Sequence, residues 1–179
     1  MATFGDTTRG TGEFPGSDSR CLVSRYQCVG SGTLDSLTTW FGPSTSASVN
    51  FKLVVLSDNA GAPDALLAVS DPGVSSGSGG GGPITVAAPS LSLVDGTYYW
   101  LGVVADNFPA YYAKDDSGVD ALMANGTFSY ASPPATWPGT DGTYSGGMNI
   151  YATFTEGGGG LVFNPLSGRG GGAAQPLAG

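Results

Sequence analysis

No stretch of helical length in this chain carries apolar residues at three- and four-residue spacing, and that narrows its possible folds more than any single motif does. Short strand-like runs recur instead, set between turn signals. In "SVNFKLVVLSD", Val49, Phe51, Leu53 and Val55 share one face, with Asn50 and Lys52 on the other. "GGMNIYATFTE" alternates more clearly still, with Met148, Ile150, Ala152 and Phe154 inward and Asn149, Tyr151, Thr153 and Thr155 outward. "DGTYYWLGVVAD" is apolar on both faces, Tyr99-Leu101-Val103 and Tyr98-Trp100-Val104. That suits a central strand covered on both sides, or one whose second face meets a partner.

"RCLVSRYQCVG", "TLDSLTTWFG", "DNAGAPDALLAVSD", "ITVAAPSLSL", "AYYAKD" and "ALMANGTFSY" complete the set. Thirty-one glycines and twelve prolines keep such elements short and the turns many. Roughly eight or nine strands at this spacing predict an all-β protein, an antiparallel two-sheet β-sandwich of jelly-roll type, with a single barrel as the fallback. No internal repeat has a fixed period.

Composition marks the boundaries. Residues 1–19 read as a polar, glycine-rich N-terminal arm with Phe4 and Phe14 as isolated anchors, and residues 20–156 hold nearly all the periodicity. Residues 157–179 read as a C-terminal arm: Gly157 to Gly160 form a hinge, and Leu161, Val162, Phe163, Pro165 and Leu166 supply an apolar plug for assembly. "VSSGSGGGGP" reads as an exposed loop, and its glycines lack the lysine and following helix of a phosphate cradle.

Charge excludes several partners. The net charge is −8, and the six cations are scattered, so neither nucleic acid nor an anionic membrane surface is an expected partner. No apolar run approaches the roughly 20 residues that cross a bilayer. The opening "MATFGDTTRGTGEFPGSDSR" lacks the organisation of a signal peptide, so the expectation is a protein made in the cytoplasm.

Histidine is absent, which removes Ser-His-Asp and Cys-His catalysis. Glu13 and Glu156 fall in the arms, so hydrolysis by paired carboxylates would need aspartates alone, such as Asp106 or Asp115. The expectation is that the chain is not an enzyme and needs no cofactor. Asp115, Asp116 and Asp120 in "KDDSGVD" are the densest acidic cluster, either a calcium loop or a solvated turn. Cys21 and Cys28, seven residues apart, face opposite sides of a strand and suit neither a mutual disulfide nor a metal pair. "NGT" at Asn125 reads as a hairpin turn. Tyr111, Tyr112 and Trp137 are candidates for a glycan-stacking rim, with core or subunit interface as the alternative for such rings.

Ser57, Asp58, Gly61, Pro63, Leu66, Leu67 and Ala68, followed by Leu93, Gly96, Tyr98, Tyr99, Trp100 and Leu101, form a recognisable pattern. It resembles a jelly-roll-like β-sandwich module of bacteriophage virion structural proteins and of bacterial surface proteins. The resemblance spans roughly residues 34 to 105 and carries over no catalytic residue, since the matched positions are turn and core positions. It implies a virion protein: a capsid decoration (cement) protein whose arms dock on neighbouring subunits, or a fibre or tail-associated subunit. The partners expected are the major capsid or other virion proteins and further copies of this chain, as dimer or trimer. A carbohydrate-binding surface module, meeting host-surface glycans through the aromatic rim with calcium as its candidate cofactor, is the reading from another class.

Overall fold

The computed structural model describes residues 1–15, 20–42, 45, 48–75, 82–106, 111–115, 119–125 and 128–157. Among these there is no helix; the chain forms an antiparallel β-sandwich. Its strands are β1 (Ala2–Gly5), β2 (Gly12–Pro15), β3 (Arg20–Gln27), β4 (Gly32–Thr39), β5 (Val49–Asn59), β6 (Ala62–Val69), β7 (Gly73–Ser75) and β8 (Ile84–Ala87). They continue with β9 (Ser92–Leu93), β10 (Tyr98–Ala105), β11 (Tyr111–Asp115), β12 (Ala121–Asn125), β13 (Gly142–Tyr144), β14 (Gly147–Met148) and β15 (Ile150–Glu156).

One sheet runs β13-β12-β3-β10-β5-β6, with β7 also on β5. The facing sheet runs β1-β15-β4-β8, with β9 also on β4, and a small sheet β14-β11-β2 adjoins them. The twice-apolar segment 98–105 is indeed central. Tyr99, Leu101 and Val103 enter the core between the sheets, and Trp100 and Val104 enter a second apolar cluster on the outer face. At Gly102 the neighbouring strand comes close: a Cβ there would sit 2.4 Å from the Leu22 carbonyl oxygen and from Val23 Cγ1. Only glycine lets β3 and β10 pair in this register.

Between the sheets, Phe4 packs on Tyr99 and Phe154 with ring centroids 5.8 and 6.2 Å apart. Phe41 meets Phe51 at 4.9 Å and Tyr112 at 5.4 Å. Met148, Ile150, Ala152 and Phe154 all face this core, as their alternation predicts. Within residues 1–15, β1 joins the smaller sheet beside β15 and β2 joins the small sheet beside β11, so this segment packs on the domain. Phe4 and Phe14 are buried core rings, and β1 pairs along β15 with Ala2 opposite Phe154. An apolar ring every ten residues is enough to draw a polar segment into the sheet when the last strand offers it an open edge.

The outer face of the larger sheet is covered by residues 128–141, which cross it as a strap. Phe128, fully buried, joins Cys21, Val23, Val54, Leu56, Trp100 and Val104 in the outer cluster, and Trp137 packs against it with ring centroids 5.8 Å apart. Backbone bonds pin the strap: Leu66 N–H to the Ala135 oxygen at 2.8 Å, Trp137 N–H to Asp64 at 2.7 Å and Asp141 N–H to Met123 at 2.8 Å. Lys52 Nζ donates to the Tyr130 carbonyl at 3.0 Å. β12 pairs with β13, which starts at Gly142, beyond the strap; the turn expected at Asn125 runs into residues 126–127, outside the described residues. Cys21 and Cys28 are both buried, free thiols in the outer and inner clusters respectively, on opposite faces as expected.

Candidate functional site

Two of the three candidate glycan-stacking rings, Tyr112 and Trp137, lie apart. Tyr112 is fully buried in the inner core, and its hydroxyl has no hydrogen-bond partner. Trp137 lies across the larger sheet, half-buried in the strap, its indole N–H donating to Thr140 Oγ1 at 3.2 Å. Tyr112 belongs to the inner cluster and Trp137 packs on the outer one, so the larger sheet lies between the two rings. The backbone of Tyr111 pairs with Pro15, and its side chain lies outside the described residues. The physical reason is alternation: β11 runs against β2 beside the core, so Tyr112, opposite Phe14, turns inward.

The acidic cluster also rearranges. Asp120 is exposed, and Asp116 lies outside the described residues. Asp115, at the end of β11, meets Asp6, which follows β1, and their carboxyls hydrogen-bond to each other. The Thr8 N–H donates to Asp6 Oδ1 at 2.9 Å, and Asn149 Nδ2 donates to Asp6 Oδ2. Asn149, expected outward, is fully buried, because residues 6–10 cover that side of the β14–β15 junction. Its Oδ1 accepts from the Gly10 N–H at 2.8 Å, and its own N–H reaches the Ala113 carbonyl at 3.0 Å. The Tyr26 hydroxyl donates to the Met148 carbonyl nearby.

Burial, reinforced by Asp115, lifts the Asp6 carboxyl above its ordinary value, and burial beside both carboxyls lifts the Tyr26 phenol. The arrangement ties the N-terminal segment to the end of β11 and to the β14–β15 junction. It is two carboxyls, and no group of three or more Cys, Asp and Glu suited to a metal ion occurs among the described residues.

The resembling pattern has a physical core of its own. Asp58 accepts Arg25 Nε at 2.7 Å and a second Arg25 nitrogen at 2.9 Å, the Trp100 indole N–H at 2.9 Å and the Gly61 N–H at 3.2 Å. Gly61 takes a φ of 89° in the turn that follows, a conformation glycine adopts without cost. The Arg25 guanidinium stacks 3.7 Å over the Tyr98 ring. Arg25 holds the Asp58 carboxyl below the usual carboxylate range, and Asp58 raises Arg25 in return. The pattern is thus a lock between three strands, β3, β5 and β10. Arg25 lies outside it in sequence and carries no periodic signal.

One end of the sandwich gathers unusual surface. Glu156 pairs with Gly32, Gly32 with Leu93, and Ala2 with Phe154, so Met1, the 28–31 turn and the 94–97 turn share that end. The Cys28 N–H bonds the Thr97 carbonyl at 2.9 Å, and the Gly30 N–H bonds Asp95 Oδ1 at 2.7 Å, joining the two turns. Met1, Val29 and Val94 are 94%, 70% and 55% exposed, three of the six exposed large hydrophobics among the described residues. The Gly157 N–H donates to the Ser31 carbonyl at 3.1 Å, so the chain enters its final segment at this same end. The assembly residues Leu161, Val162, Phe163, Pro165 and Leu166 lie outside the described residues, as does the Gly79–Gly81 part of the glycine loop. Comparison with protein-family models and with curated proteins finds no match.

Proposed function

We propose that this chain is a bacteriophage virion structural protein, a capsid decoration protein that reinforces the head by docking its C-terminal arm on neighbouring subunits. The class comes from the resemblance carried by Ser57 through Leu101. One observation supports the mode of action: the chain passes into residues 158–179 at the end where Met1, Val29 and Val94 are exposed. A rigid body whose last strand is held between β1 and β4 gives such an arm a fixed point of departure. Burying Leu161, Val162 and Phe163 on a neighbour would contribute on the order of several kcal/mol before ordering costs. Repeated over a symmetric shell, that is enough to stiffen it.

The test is quantitative mass spectrometry of purified particles from the source culture, counting this chain against the most abundant shell protein. A ratio near one, or a fixed simple fraction of one, is expected of decoration. A few copies per particle would move the reading to a fibre or tail subunit, and absence from particles would overturn it.

A further inference from the structure

We infer that the end carrying Met1, Val29 and Val94 is the receptor for the Leu161–Leu166 segment of a second copy of this chain, in a reciprocal two-fold exchange. The inference rests on the structural-protein reading and names the partner of the arm. Three features carry it. The first is apolar surface at an exposed end, with Val29 and Val94 on turns hydrogen-bonded to each other's neighbours. The second is charge. Asp35, Asp95 and Glu156 lie at this end, whereas residues 158–179 hold seven apolar side chains from Leu161 to Leu177, counting both prolines and leaving out the alanines, and a single charged side chain, Arg169. An apolar segment followed by a cation fits an apolar surface fringed by carboxylates.

The third feature is position. The arm departs beside its receptor, at the Gly157–Ser31 bond. When donor and receptor lie on the same end, two copies placed end to end satisfy each other, and the exchange closes at two. A donor at one end and a receptor at the other would build a filament. Gly157 to Gly160 reach about 13 Å when extended, enough to cross between apposed ends. The dimer is therefore the unit that this geometry selects over the trimer.

The experiment uses the full chain. Sedimentation of the wild type over a wide concentration range is expected to show a species of twice the 17.9 kDa chain mass. Val29→Asp/Val94→Asp, both at exposed sites, should remain folded by circular dichroism and sediment as monomer. In a second measurement, Val94→Cys/Phe163→Cys chains, half of them labelled with heavy nitrogen, are mixed and oxidised, then digested for mass spectrometry. Mixed-isotope cross-links are expected, at least tenfold more than from Val74→Cys/Phe163→Cys, because Val74 opposes Asn50 at the other end of β5. A wild type that stays monomeric, cross-links confined within one chain, or equal yield from Val74 would overturn the inference. None of those results bears on particle copy number, on which the structural reading stands separately.

Discussion

The indole nitrogen of Trp100 lies 2.9 Å from Asp58 Oδ1, across the strand pair that forms the centre of the larger sheet. Asp58 thereby satisfies a donor at the edge of the outer cluster, while also capping its own turn and pairing Arg25. Asp58→Ala leaves the Trp100 N–H, the Gly61 N–H and a guanidinium without their acceptor. We expect a loss of about 2–4 kcal/mol in urea denaturation. Arg25→Ala, at a partly exposed partner, should cost less. Equal and small effects from both would contradict the lock.

Burial beside Asp115 raises the Asp6 carboxyl, and the sign of its effect on stability follows from that direction. Its favourable contribution is complete below the ordinary value of 3.8 and disappears as pH rises through the higher folded value. At neutral pH the two carboxylates repel. Asp115→Asn keeps a donor towards Asp6 and removes one charge, so its melting temperature should exceed the wild type's at pH 7. That advantage should shrink as pH falls towards 3.8. A gap that is constant with pH would show that the pair does not titrate as one.

The Tyr112 hydroxyl is buried with no partner. Tyr112→Phe should therefore be neutral or stabilising by up to about 1–2 kcal/mol, since it removes a desolvated polar atom and keeps the ring. A clear destabilisation in the same denaturation assay would mean that the hydroxyl is bonded after all.

Trp137 separates two roles. As part of the strap over Phe128, its removal should expose the outer cluster, and Trp137→Ala should cost about 2 kcal/mol. A ring that served only to stack on sugars would cost less than about 0.5 kcal/mol when removed. Thermal unfolding of this variant beside a glycan-binding assay decides between them.

Strand identity was legible wherever alternation was clean. Val49 to Val55 and Met148 to Phe154 point as their pattern requires, since a period of two leaves each such segment one buried face. Leu34 and Leu37 break that rule: three residues apart, both enter the core. The register with β15 shifts between Thr153 and Phe154, leaving Asp35 as an extra residue on β4, and this bulge restores the inward direction. Nothing in "TLDSLTT" announces it.

The acidic site was half legible. Asp115 stood out as part of a run, whereas Asp6 showed only the local signature of an Asp whose side chain caps the residue two on. Their meeting spans most of the chain and depends on β1 pairing with β15, which no short pattern encodes. Asn149 misled for a related reason. Alternation tells which side a residue takes, and the covering of that side by residues 6–10 is a long-range fact.

The place of β15 between β1 and β4 sets when this molecule can finish folding. β1 has no partner, and β4 has only β8 and β9, until the chain has been synthesised through Glu156, so the smaller sheet cannot close over the core while the ribosome is still in the middle of the message. Contacts so distant in sequence make for slow folding. Until then the larger sheet's inner face, with Phe51, Leu53 and Leu101, stands open to water and to other nascent chains. High-level expression should therefore be limited by the completion of the last strand, and slower synthesis of the chain's final third, which prolongs that exposure, should lower the soluble yield.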